Sequence, residues 1–457
     1  LKEFYEAEKY IADRVSFIND MAKTKISKLA EKIEDLEKIN QIHYDKIQTK
    51  AIKKAITNNI TIITGGPGTG KTTIIKAIVA LFKEVFQAKN TEIALLAPTG
   101  RAAKRMSETT NLYACTIHRY LGYDKDKNKF CVDEYNPNSE KYIIVDEVSM
   151  IDTLLMSSLL KGIKRDVKLV LVGDYFQLPS VSQGQVLKDL MDTDLIDVIK
   201  LNCLYRQNEN SYIPVLANEV KDKDIDDDFM IKRDDYNFIM CDNDKVIPTI
   251  LYITNNALNK GYTDKDIQIL APMYKSINGI DRLNKHLQQL FNPPSEKKKE
   301  LFVGEVTYRV GDKILQLVND TEANVYNGDL GYIIDIVDSK VSSTKKNEIT
   351  IDYDGNKVTY TTDKFLNFRH GYAISIHKAQ GSEFPLVIMP IVNNFNRMLY
   401  NKLIYTGITR AKKCLMIVGD PKCFTNGIMN DFVDYRKTTL KEFILEKYQY
   451  QGIDEEE

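Results

Sequence analysis

Apolar residues recur at helical spacing over the first 45 residues, with charged residues between them. They are Tyr10, Ile11, Val15, Ile18 and Met21, followed by Ile26, Leu29, Ile33 and Leu36. This spacing gathers the apolar residues on one face of each of two helices. We therefore predict an N-terminal helical segment over 1–45, in which a surface helical pair packs on the domain that follows.

Continuous apolar runs separated by helical patterns extend over residues 46–200. The runs are TIIT (61–64), IALLAP (93–98), YIIVDE (142–147) and KLVLVGD (168–174). Strands that are apolar on both faces belong to parallel sheets covered by helices on both sides. We therefore predict an α/β domain over 46–200. Its polar stretch at 122–141, which includes Pro137, predicts an insertion or a small hairpin.

A second α/β pattern occupies residues 201–299 and 367–440. IQILAPMYKS (267–276) echoes IALLAPTGRAAK (93–104), and CLMIVGDPKCF (414–424) echoes KLVLVGDYFQL (168–178). Two matches in the same order predict two related α/β domains. The second domain has no glycine-rich phosphate loop of its own, and the acidic, turn-rich residues 222–245 predict a surface excursion.

Short alternating runs replace the α/β pattern over residues 300–366. They are VTYRVGDKILQLVN, NGDLGYIIDIVD, NEITIDYDG and NKVTYTTD, and Gly, Asn and Asp separate them. This alternation is typical of a small antiparallel barrel, here inserted in the second α/β domain. Residues 441–457 form a C-terminal tail, of which we expect 451–457 to be disordered.

Composition excludes several classes of protein. The chain has 457 residues, 43% apolar and 28% charged, as in ordinary soluble globular proteins, and a length of about three domains. A formal net charge of −1 excludes binding to polyanions by bulk charge, although a local basic groove remains open. The six cysteines form no CxxC pair, which argues against a zinc site or a disulfide framework. Without a signal peptide or a long apolar run, we expect a cytoplasmic protein.

A glycine-rich turn, GGPGTGKT (65–72), lies between a predicted strand and a predicted helix. It fits GxxxxGK[ST], in which backbone N–H groups cradle phosphate oxygens at a helix N-terminus. Lys71 would supply a charge at the β- and γ-phosphates, and the Thr72 hydroxyl would be a Mg²⁺ ligand. We predict an ATP site that includes Gly66, Pro67, Gly68, Thr69, Gly70, Lys71, Thr72 and Thr73.

Two further strand ends carry groups suited to hydrolysis. Asp146 and Glu147 follow the strand YIIV, where Asp146 would hold Mg²⁺ and Glu147 would orient or deprotonate the attacking water. Gln177 follows VGDYF, and its amide would contact both the γ-phosphate and the water. The alternative for this second strand end is an ordinary turn capped by Asp174.

Arginines and a glutamine complete the candidate ATP site. Arg206 in LYRQ and Arg410 in YTGITRAKK lie at the edge of the second α/β unit, and a planar guanidinium stabilises the charge of a transferring phosphoryl group. The alternative for each arginine is a role as a surface ion-pair partner. The amide of Gln48 would read an adenine edge, whereas its alternative is an exposed helical glutamine.

These motifs resemble the superfamily 1 DNA helicases, and most closely the RecD-like branch. The matching segments, in the order typical of the family, are Gln48, GGPGTGKTT (65–73), APTGRAAKRM (97–106), ACTIHRYLGY (114–123), IIVDEVSM (143–150), LVGDYFQLPSV (171–181), LYRQ (204–207), GYAISIHKAQGSEF (371–384) and YTGITRAKK (405–413). Together they extend over about residues 46–425. The resemblance implies two RecA-like domains, an SH3-like barrel inserted in the second, and ATP bound between the two domains with Mg²⁺.

The resemblance also implies a track for single-stranded DNA, with movement in the 5′ to 3′ direction and strand separation at single-strand/duplex junctions. By the family motifs, Gln380, Gly381 and Glu383 join the ATP site. The residues implied to line the DNA are Pro98, Thr99, Gly100, Arg101, Thr116, His118, Asn327 and His377. Such groups suit contact with the DNA backbone. His118 and His377 are alternatively core histidines, and base stacking would fall to Tyr113, Tyr120 or Tyr205.

The chain departs from the family pattern at two places. Longer members carry an N-terminal extension, and this chain begins at Leu1, so we expect it to be part of a longer protein. Residues 122–141 occupy the place of the duplex-splitting hairpin but have no Asn-Gly turn. Two alternatives to an autonomous helicase stay open: a translocase subunit that unwinds only within a larger nuclease complex, and a DNA-binding module of a relaxase. The preserved catalytic residues argue against the module.

Overall fold

The computed structural model describes residues 2–124, 127–202, 211–320, 322–431 and 436–454. The chain forms two compact units. The first comprises Leu1–Glu209 with Val433–Glu457, and the second is Asn210–Phe432. Each contains a parallel sheet flanked by helices, which confirms the predicted fold class.

The first unit contains eight strands and, before its C-terminal segment, eight helices among the described residues. The helices are α1 (Lys2–Asp20), α2 (Leu29–Asn40), α3 (Lys46–Thr57), α4 (Lys71–Phe86), α5 (Gly100–Thr110), α6 (Ile117–Tyr120), α7 (Thr153–Lys161) and α8 (Val186–Met191); the strands are β1 (Ile60–Gly65), β2 (Ile93–Ala97), β3 (Ala114–Thr116), β4 (Tyr123–Asp124), β5 (Lys129–Phe130), β6 (Tyr142–Val145), β7 (Lys168–Gly173) and β8 (Val198–Leu201).

Six of these strands form one parallel sheet in the order β3-β2-β6-β7-β1-β8. Side chains alternate across it: Ile63 of β1 packs with α2 to α5 on one face, whereas Ile62 packs with α1, α7 and α8 on the other. Because both faces are covered, the strands are apolar over most of their length, as the sequence predicted. Every residue of β1 and β7 is buried.

The N-terminal helices do not form the predicted pair. Ile11 and Val15 of α1 pack on one face of the sheet, while Ile33 and Leu36 of α2 pack on the opposite face with α3 and α4. Helical periodicity identifies which side of a helix is buried, but not the surface that covers it. The prediction of a surface pair was therefore wrong, although both helices exist.

The second unit contains an α/β layer and a barrel. Its described helices are α9 (Tyr212–Asp222), α10 (Val246–Asn259), α11 (Ile280–Phe291), α12 (Asn401–Ile408) and α13 (Pro421–Met429); its strands are β9 (Tyr236–Met240), β10 (Ile267–Ala271), β11 (Glu300–Val303), β12 (Val306–Arg309), β13 (Lys313–Gln316), β14 (Leu330–Val337), β15 (Glu348–Tyr353), β16 (Asn356–Thr361), β17 (Phe368–His370), β18 (Ala373–Ser375), β19 (Phe384–Ile391) and β20 (Ala411–Gly419).

The parallel sheet of this unit has the order β18-β10-β19-β20-β9. The acidic stretch 222–245, predicted as a surface excursion, in fact contains the edge strand β9, whose Tyr236 and Phe238 are buried. A five-residue strand flanked by acidic turns leaves too few apolar residues for the composition of the whole stretch to reveal it. The antiparallel strands β16-β15-β14-β13-β17 surround a separate apolar core that includes Ile333 and Tyr360, and β11 pairs with β12.

The C-terminal segment forms a helix of the first unit. Helix α14 (Leu440–Asp454) packs Leu440 and Ile444 against α1 and the sheet. The expected disorder is therefore contradicted for 451–454, while 455–457 lie outside the described residues. A signal was present in the sequence, because Leu440, Phe443, Ile444 and Tyr448 follow a helical spacing.

Candidate ATP and DNA site

The phosphate loop joins the end of β1 to the start of α4. Gly68 and Gly70 have φ values of 78° and 85°, in the left-handed region that glycine enters without strain. Lys71 Nζ donates hydrogen bonds to the carbonyls of Gly65 (2.6 Å) and Gly66 (3.0 Å). Thr69 Oγ1 donates to the same Gly66 carbonyl at 2.8 Å. The loop is thus closed on itself, with the lysine charge against its backbone.

Asp146 and Glu147 lie just past the end of β6, and both side chains are buried. The Glu147 amide donates to Asp146 Oδ1 at 2.8 Å. Arg105 Nη2, from α5, lies 3.0 Å from Glu147 Oε1 and 3.6 Å from Asp146 Oδ2. A single guanidinium therefore bridges the two carboxylates.

Burial raises the pKa of Asp146, and the neighbouring Glu147 charge raises it further, while Arg105 and Lys71 act in the opposite direction. The effect of Lys71 on Asp146 shows that the phosphate loop and the carboxylates form one electrostatic site. A buried carboxylate whose charge is disfavoured gains most from a nearby cation. Asp146, with Thr72 at the first turn of α4, thus fits an oxygen-ligated divalent ion such as Mg²⁺.

Sequence reasoning missed Arg105. Strand β2, which leads into α5, is the neighbour of β6 in the sheet, so a side chain on the first turns of α5 reaches the end of β6. Its position within APTGRAAKRM was visible in the sequence, but its partner is set by the strand order.

Gln177 follows β7 beside Asp174. Its Nε2 donates to Asp174 Oδ2 at 3.0 Å. Its Oε1 is buried and accepts no hydrogen bond within the part of the chain that the structure describes. A buried amide oxygen of this kind is an acceptor for a donor such as a water molecule.

Gln48 is buried, so the alternative of an exposed helical glutamine is wrong. Its Oε1 accepts from the Asp45 amide at 3.2 Å, which completes a capping box at the start of α3. Its Nε2 donates to the Thr69 carbonyl at 3.3 Å. Gln48 therefore ties α3 to the phosphate loop, while its proposed contact with adenine stays a prediction.

The threonines of the predicted DNA track in the first unit cap two helices. Thr99 Oγ1 accepts from the Ala102 amide at the start of α5, and Thr116 Oγ1 accepts from the Arg119 amide at the start of α6. Pro98, Gly100 and Arg101 flank the first cap. Because β2 and β3 are parallel neighbours, both caps lie at the same edge of the sheet.

His118 packs against the short hairpin that 122–141 contains. Its ring centroid lies 5.7 Å from those of Tyr123 and Phe130, which pair across β4 and β5. Burial lowers the pKa of His118. The imidazole is therefore neutral near pH 7 and suited to packing or hydrogen bonding, not to charge pairing.

The tyrosines considered for base stacking differ in exposure. Tyr113 is 65% exposed, with the Arg119 guanidinium 5.7 Å from its ring, whereas the Tyr120 hydroxyl donates to Glu140. Tyr113 is thus the more accessible of these two. Tyr205 and the candidate catalytic Arg206 lie outside the described residues.

In the second unit, Arg410 contacts the segment that contains Gln380, Gly381 and Glu383. Its Nη1 donates to the Ser382 carbonyl at 3.2 Å and its Nε to the Thr406 carbonyl at 3.1 Å. Arg410 is 2% exposed. The fold thus brings together two motifs that are about 30 residues apart in the sequence.

Asn327 of the barrel is linked to the neighbour of His377. Lys378 Nζ donates to Asn327 Oδ1 at 2.6 Å. Burial lowers the pKa of Lys378, and the charge of Arg369 lowers it further. Burial also lowers the pKa of His377, followed by the effect of Lys378. Lys378, which sequence reasoning did not select, is the cation at the centre of this group.

Two kinds of site are absent from the described residues. No cluster of three or more His, Cys, Asp or Glu side chains suited to a metal ion is present there. The same residues contain no helix with the length and apolar character needed to cross a membrane.

Three family models match the chain. An AAA domain matches residues 48–183, the ATP-dependent RecD-like DNA helicase SH3 domain matches residues 283–353, and the UvrD-like helicase C-terminal domain matches residues 370–418. The matches contain the phosphate loop with both carboxylates, much of the barrel, and the segment contacted by Arg410.

Curated relatives and solved structures agree with these models. The ATP-dependent RecD2 DNA helicase of Deinococcus radiodurans is 34% identical over 365 residues, which are 80% of this chain and 47% of the relative. The RecBCD enzyme subunit RecD of Buchnera aphidicola subsp. Acyrthosiphon pisum is 29% identical over 503 residues, covering 94% of this chain and 81% of that subunit. The chain thus spans about half the length of the first relative and most of the second.

The crystal structure of Bacteroides Pif1 bound to single-stranded DNA has a similar fold. It is 18% identical, with a TM-score of 0.51, and the match covers 90% of this chain and 98% of Pif1. At this identity the likeness concerns the fold alone. Because a RecD-like SH3 domain stands between matching helicase domains, and the curated relatives are RecD proteins, the chain belongs to the RecD-like branch of the superfamily 1 DNA helicases.

Proposed function

We propose that this chain is an ATP-dependent DNA helicase that moves along single-stranded DNA. The observation that carries the proposal is the grouping of Lys71, Asp146, Glu147 and Arg105 around the phosphate loop. Two buried carboxylates beside a phosphate-binding lysine are what hydrolysis of a triphosphate requires. Membership of the RecD-like family indicates that DNA is the polymer to which ATP hydrolysis would be coupled.

In the proposed mechanism, the loop amides and Lys71 hold the phosphates, and Glu147 positions the attacking water. Mg²⁺, held by Thr72 and Asp146, would neutralise charge on the phosphate oxygens. Gln177 offers its Oε1 to the same water. Arg206 and Arg410 would contact the γ-phosphate and so stabilise the charge of the transferring phosphoryl group.

In the first unit, the DNA would contact the edge of the sheet that carries Thr99 and Thr116. In the second unit, it would contact the group formed by His377, Lys378 and Asn327. Hydroxyls, amides and cations such as Lys378 suit contact with a sugar–phosphate backbone without base readout. Alternating grip by the two domains would produce steps, in the 5′ to 3′ direction by the family resemblance. One base-pair step costs about 1.4 kcal/mol on average to open, which is well below the energy of ATP hydrolysis.

A second candidate function is a DNA-stimulated ATPase subunit that unwinds only inside a larger assembly. The observation that favours it is the similarity to proteins named as RecD subunits of the RecBCD enzyme. Both functions require every residue of the ATP site, and unwinding of a duplex by the purified protein alone distinguishes them.

The test is steady-state ATPase activity with and without single-stranded DNA. We expect strong stimulation by DNA, and loss of both basal and stimulated activity in Lys71→Ala. Lys76→Ala, which alters an exposed lysine farther along α4, is the matched control. An ATPase rate that is the same with and without DNA would agree with the proposed ATP site but contradict the proposed DNA contacts.

A further inference from the structure

Arg436 clamps the loop that follows Gln177. Its Nη1 donates to Ser180 Oγ (3.1 Å) and to the carbonyls of Ser182 (2.6 Å) and Gly184 (2.8 Å), and its Nη2 donates to the Ser180 carbonyl (2.7 Å). A guanidinium is rigid and planar, so one side chain can hold several carbonyls in a fixed arrangement. All of these residues belong to the first unit.

The same loop is also held by the start of α7. The Thr153 amide donates to the Gln183 carbonyl at 3.2 Å. Gly184 has a φ of 103°, and a Cβ at this position would lie 2.0 Å from Thr153 Oγ1. The loop 180–184 is thus held between α7, which begins six residues after Glu147, and Arg436.

The segment that carries Arg436 is itself anchored. The Thr439 amide and Oγ1 both donate to Glu8 Oε2, at 2.8 and 2.7 Å. Leu440 then begins α14 and is fully buried. The backbone that follows Arg436 is therefore held in place by these contacts with the first unit.

We propose that Arg436 is a positioning residue for Gln177. By holding the loop 180–184, it keeps Gln177 beside Asp174 with Oε1 in place to accept a hydrogen bond. Arg436 also lies where the chain returns from the second unit to the first, so the clamp links that return segment to the candidate hydrolysis site. The inference rests on the proposed ATPase function and adds a residue outside the motifs that define it.

The consequence is specific to turnover. The hydrogen bonds that hold the loop join Arg436 to Ser180, Ser182 and Gly184, and none of these three is predicted to bind ATP. Loss of these bonds should therefore leave ATP affinity intact while Gln177 loses its fixed position. In Arg436→Ala we expect DNA-stimulated kcat to fall about tenfold and the KM for ATP to change by less than about twofold. The reason is that the loss of an interaction made only in the transition state lowers kcat without weakening the binding of substrate. Arg436→Lys, which keeps the charge but not the planar fork, should fall in between.

A double-mutant cycle separates positioning from general stability. If Arg436 acts through Gln177, the double variant Arg436→Ala/Gln177→Ala loses little more kcat than Gln177→Ala alone. Multiplicative losses would overturn the proposal. Ser180→Ala, which removes only the hydroxyl contact, gives a milder variant if Arg436→Ala does not fold, and a kcat equal to that of the parent in both variants would also overturn it.

The controls keep the two hypotheses apart. Lys437→Ala changes the exposed neighbouring side chain and should retain parental kcat, KM and melting temperature. A parent protein without DNA-stimulated ATPase activity would refute the proposed function. A fully active parent with an unimpaired Arg436→Ala variant would refute only the role of Arg436.

Discussion

Single residues set the electrostatics of the candidate ATP site. Asp146 and Glu147 are buried side by side, and Arg105 is the cation that contacts both. Without it, two adjacent carboxylates in a desolvated environment would favour the protonation of one. Arg105 therefore opposes the rise in the pKa of Asp146 and also fixes the orientation of Glu147.

Arg105→Gln should lower kcat by about tenfold or more. A hydrogen bond to a charged group is worth roughly 1.5–3 kcal/mol, and each 1.4 kcal/mol is about a factor of ten in rate. Because Arg105 lowers the pKa of Asp146, its removal should also move the acidic limb of the kcat–pH profile to higher pH. Lys104→Gln, on the exposed side of α5, is the control, and an unshifted limb would contradict this role.

Lys378 is predicted to contact a DNA phosphate. Its ammonium lies beside Asn327 and near the charge of Arg369, an arrangement that an anion would stabilise. In Lys378→Ala, the slope of log K against log salt for single-stranded DNA should become shallower by about 0.7, the value for one phosphate contact. The exposed Lys364→Ala should leave the slope unchanged; the same slope in both variants would exclude the contact.

At the scale of elements, the hairpin β4–β5 is short and rests on an aromatic base. Tyr123 and Phe130 pack with His118, and the Asn138 side chain donates to the Tyr120 carbonyl at 2.9 Å. These contacts anchor the insertion on the first unit. A clean test of a strand-separating wedge must therefore remove the tip and keep the base.

Replacing residues 124–129 by Gly-Gly leaves Phe130 and Asn138 in place. We expect this variant to retain DNA-stimulated ATPase activity and to lose most of its unwinding, because only the tip would meet the duplex. Exchanging 124–129 for a polar loop of equal length provides a control for length. Unwinding at the parental rate after the Gly-Gly replacement would exclude a wedge at this position.

Helix α8 contains a carboxyl group whose protonation favours the folded state. Burial raises the pKa of Asp189 to about 6 from its ordinary value of 3.8, and the charge of Glu8 acts in the same direction. The folded state then binds this proton more tightly than the unfolded state. Stability is consequently lost as the pH rises from about 4 to 6, by up to roughly 3 kcal/mol.

Asp189→Asn should flatten that pH dependence. Melting temperatures measured between pH 4 and 7 should fall less steeply with rising pH in the variant than in the parent. Asp192→Asn, at the C-cap of the same helix but half exposed beside Lys188, should keep the parental slope. Identical slopes in all three proteins would show that Asp189 titrates normally.

At the scale of the whole molecule, the two units repeat one strand order. β2 and β10 are each second in their sheets, and β7 and β20 are each fourth, as the echoed sequences predicted. The fourth strand is followed along the first sheet by β1, which carries the phosphate loop, and along the second by β9, which does not. A duplicated scaffold with one phosphate loop supplies one site for ATP on the first unit.

The direction of movement on DNA and the ability to unwind without a partner protein are properties of the molecule as a whole. Purified protein should unwind a duplex with a 5′ single-stranded tail and leave a 3′-tailed duplex intact, since the family resemblance implies 5′ to 3′ movement. Strand release measured by fluorescence distinguishes the two substrates, with Lys71→Ala as the inactive control. DNA-stimulated ATPase activity without release from either duplex would favour the partner-dependent translocase.

The sequence by itself determined the local features of this protein. The phosphate loop, the carboxylates after β6, the alternating strands of the barrel and the apolar strands of both sheets follow from short-range spacing, because backbone geometry links period to secondary structure. The repeated strand motifs also identified two related domains. These features depend on residues that are neighbours in the chain.

Only the tertiary structure decided which distant residues meet. It placed α1 and α2 on opposite faces of a sheet, made the C-terminal segment a core helix, and found the edge strand β9 within an acidic stretch. It also brought Arg105 to Glu147 and Arg436 to the loop after Gln177. These contacts depend on the order of the strands in the sheet and on the return of the C-terminal segment to the first unit. Neither feature leaves a periodic signal in the sequence.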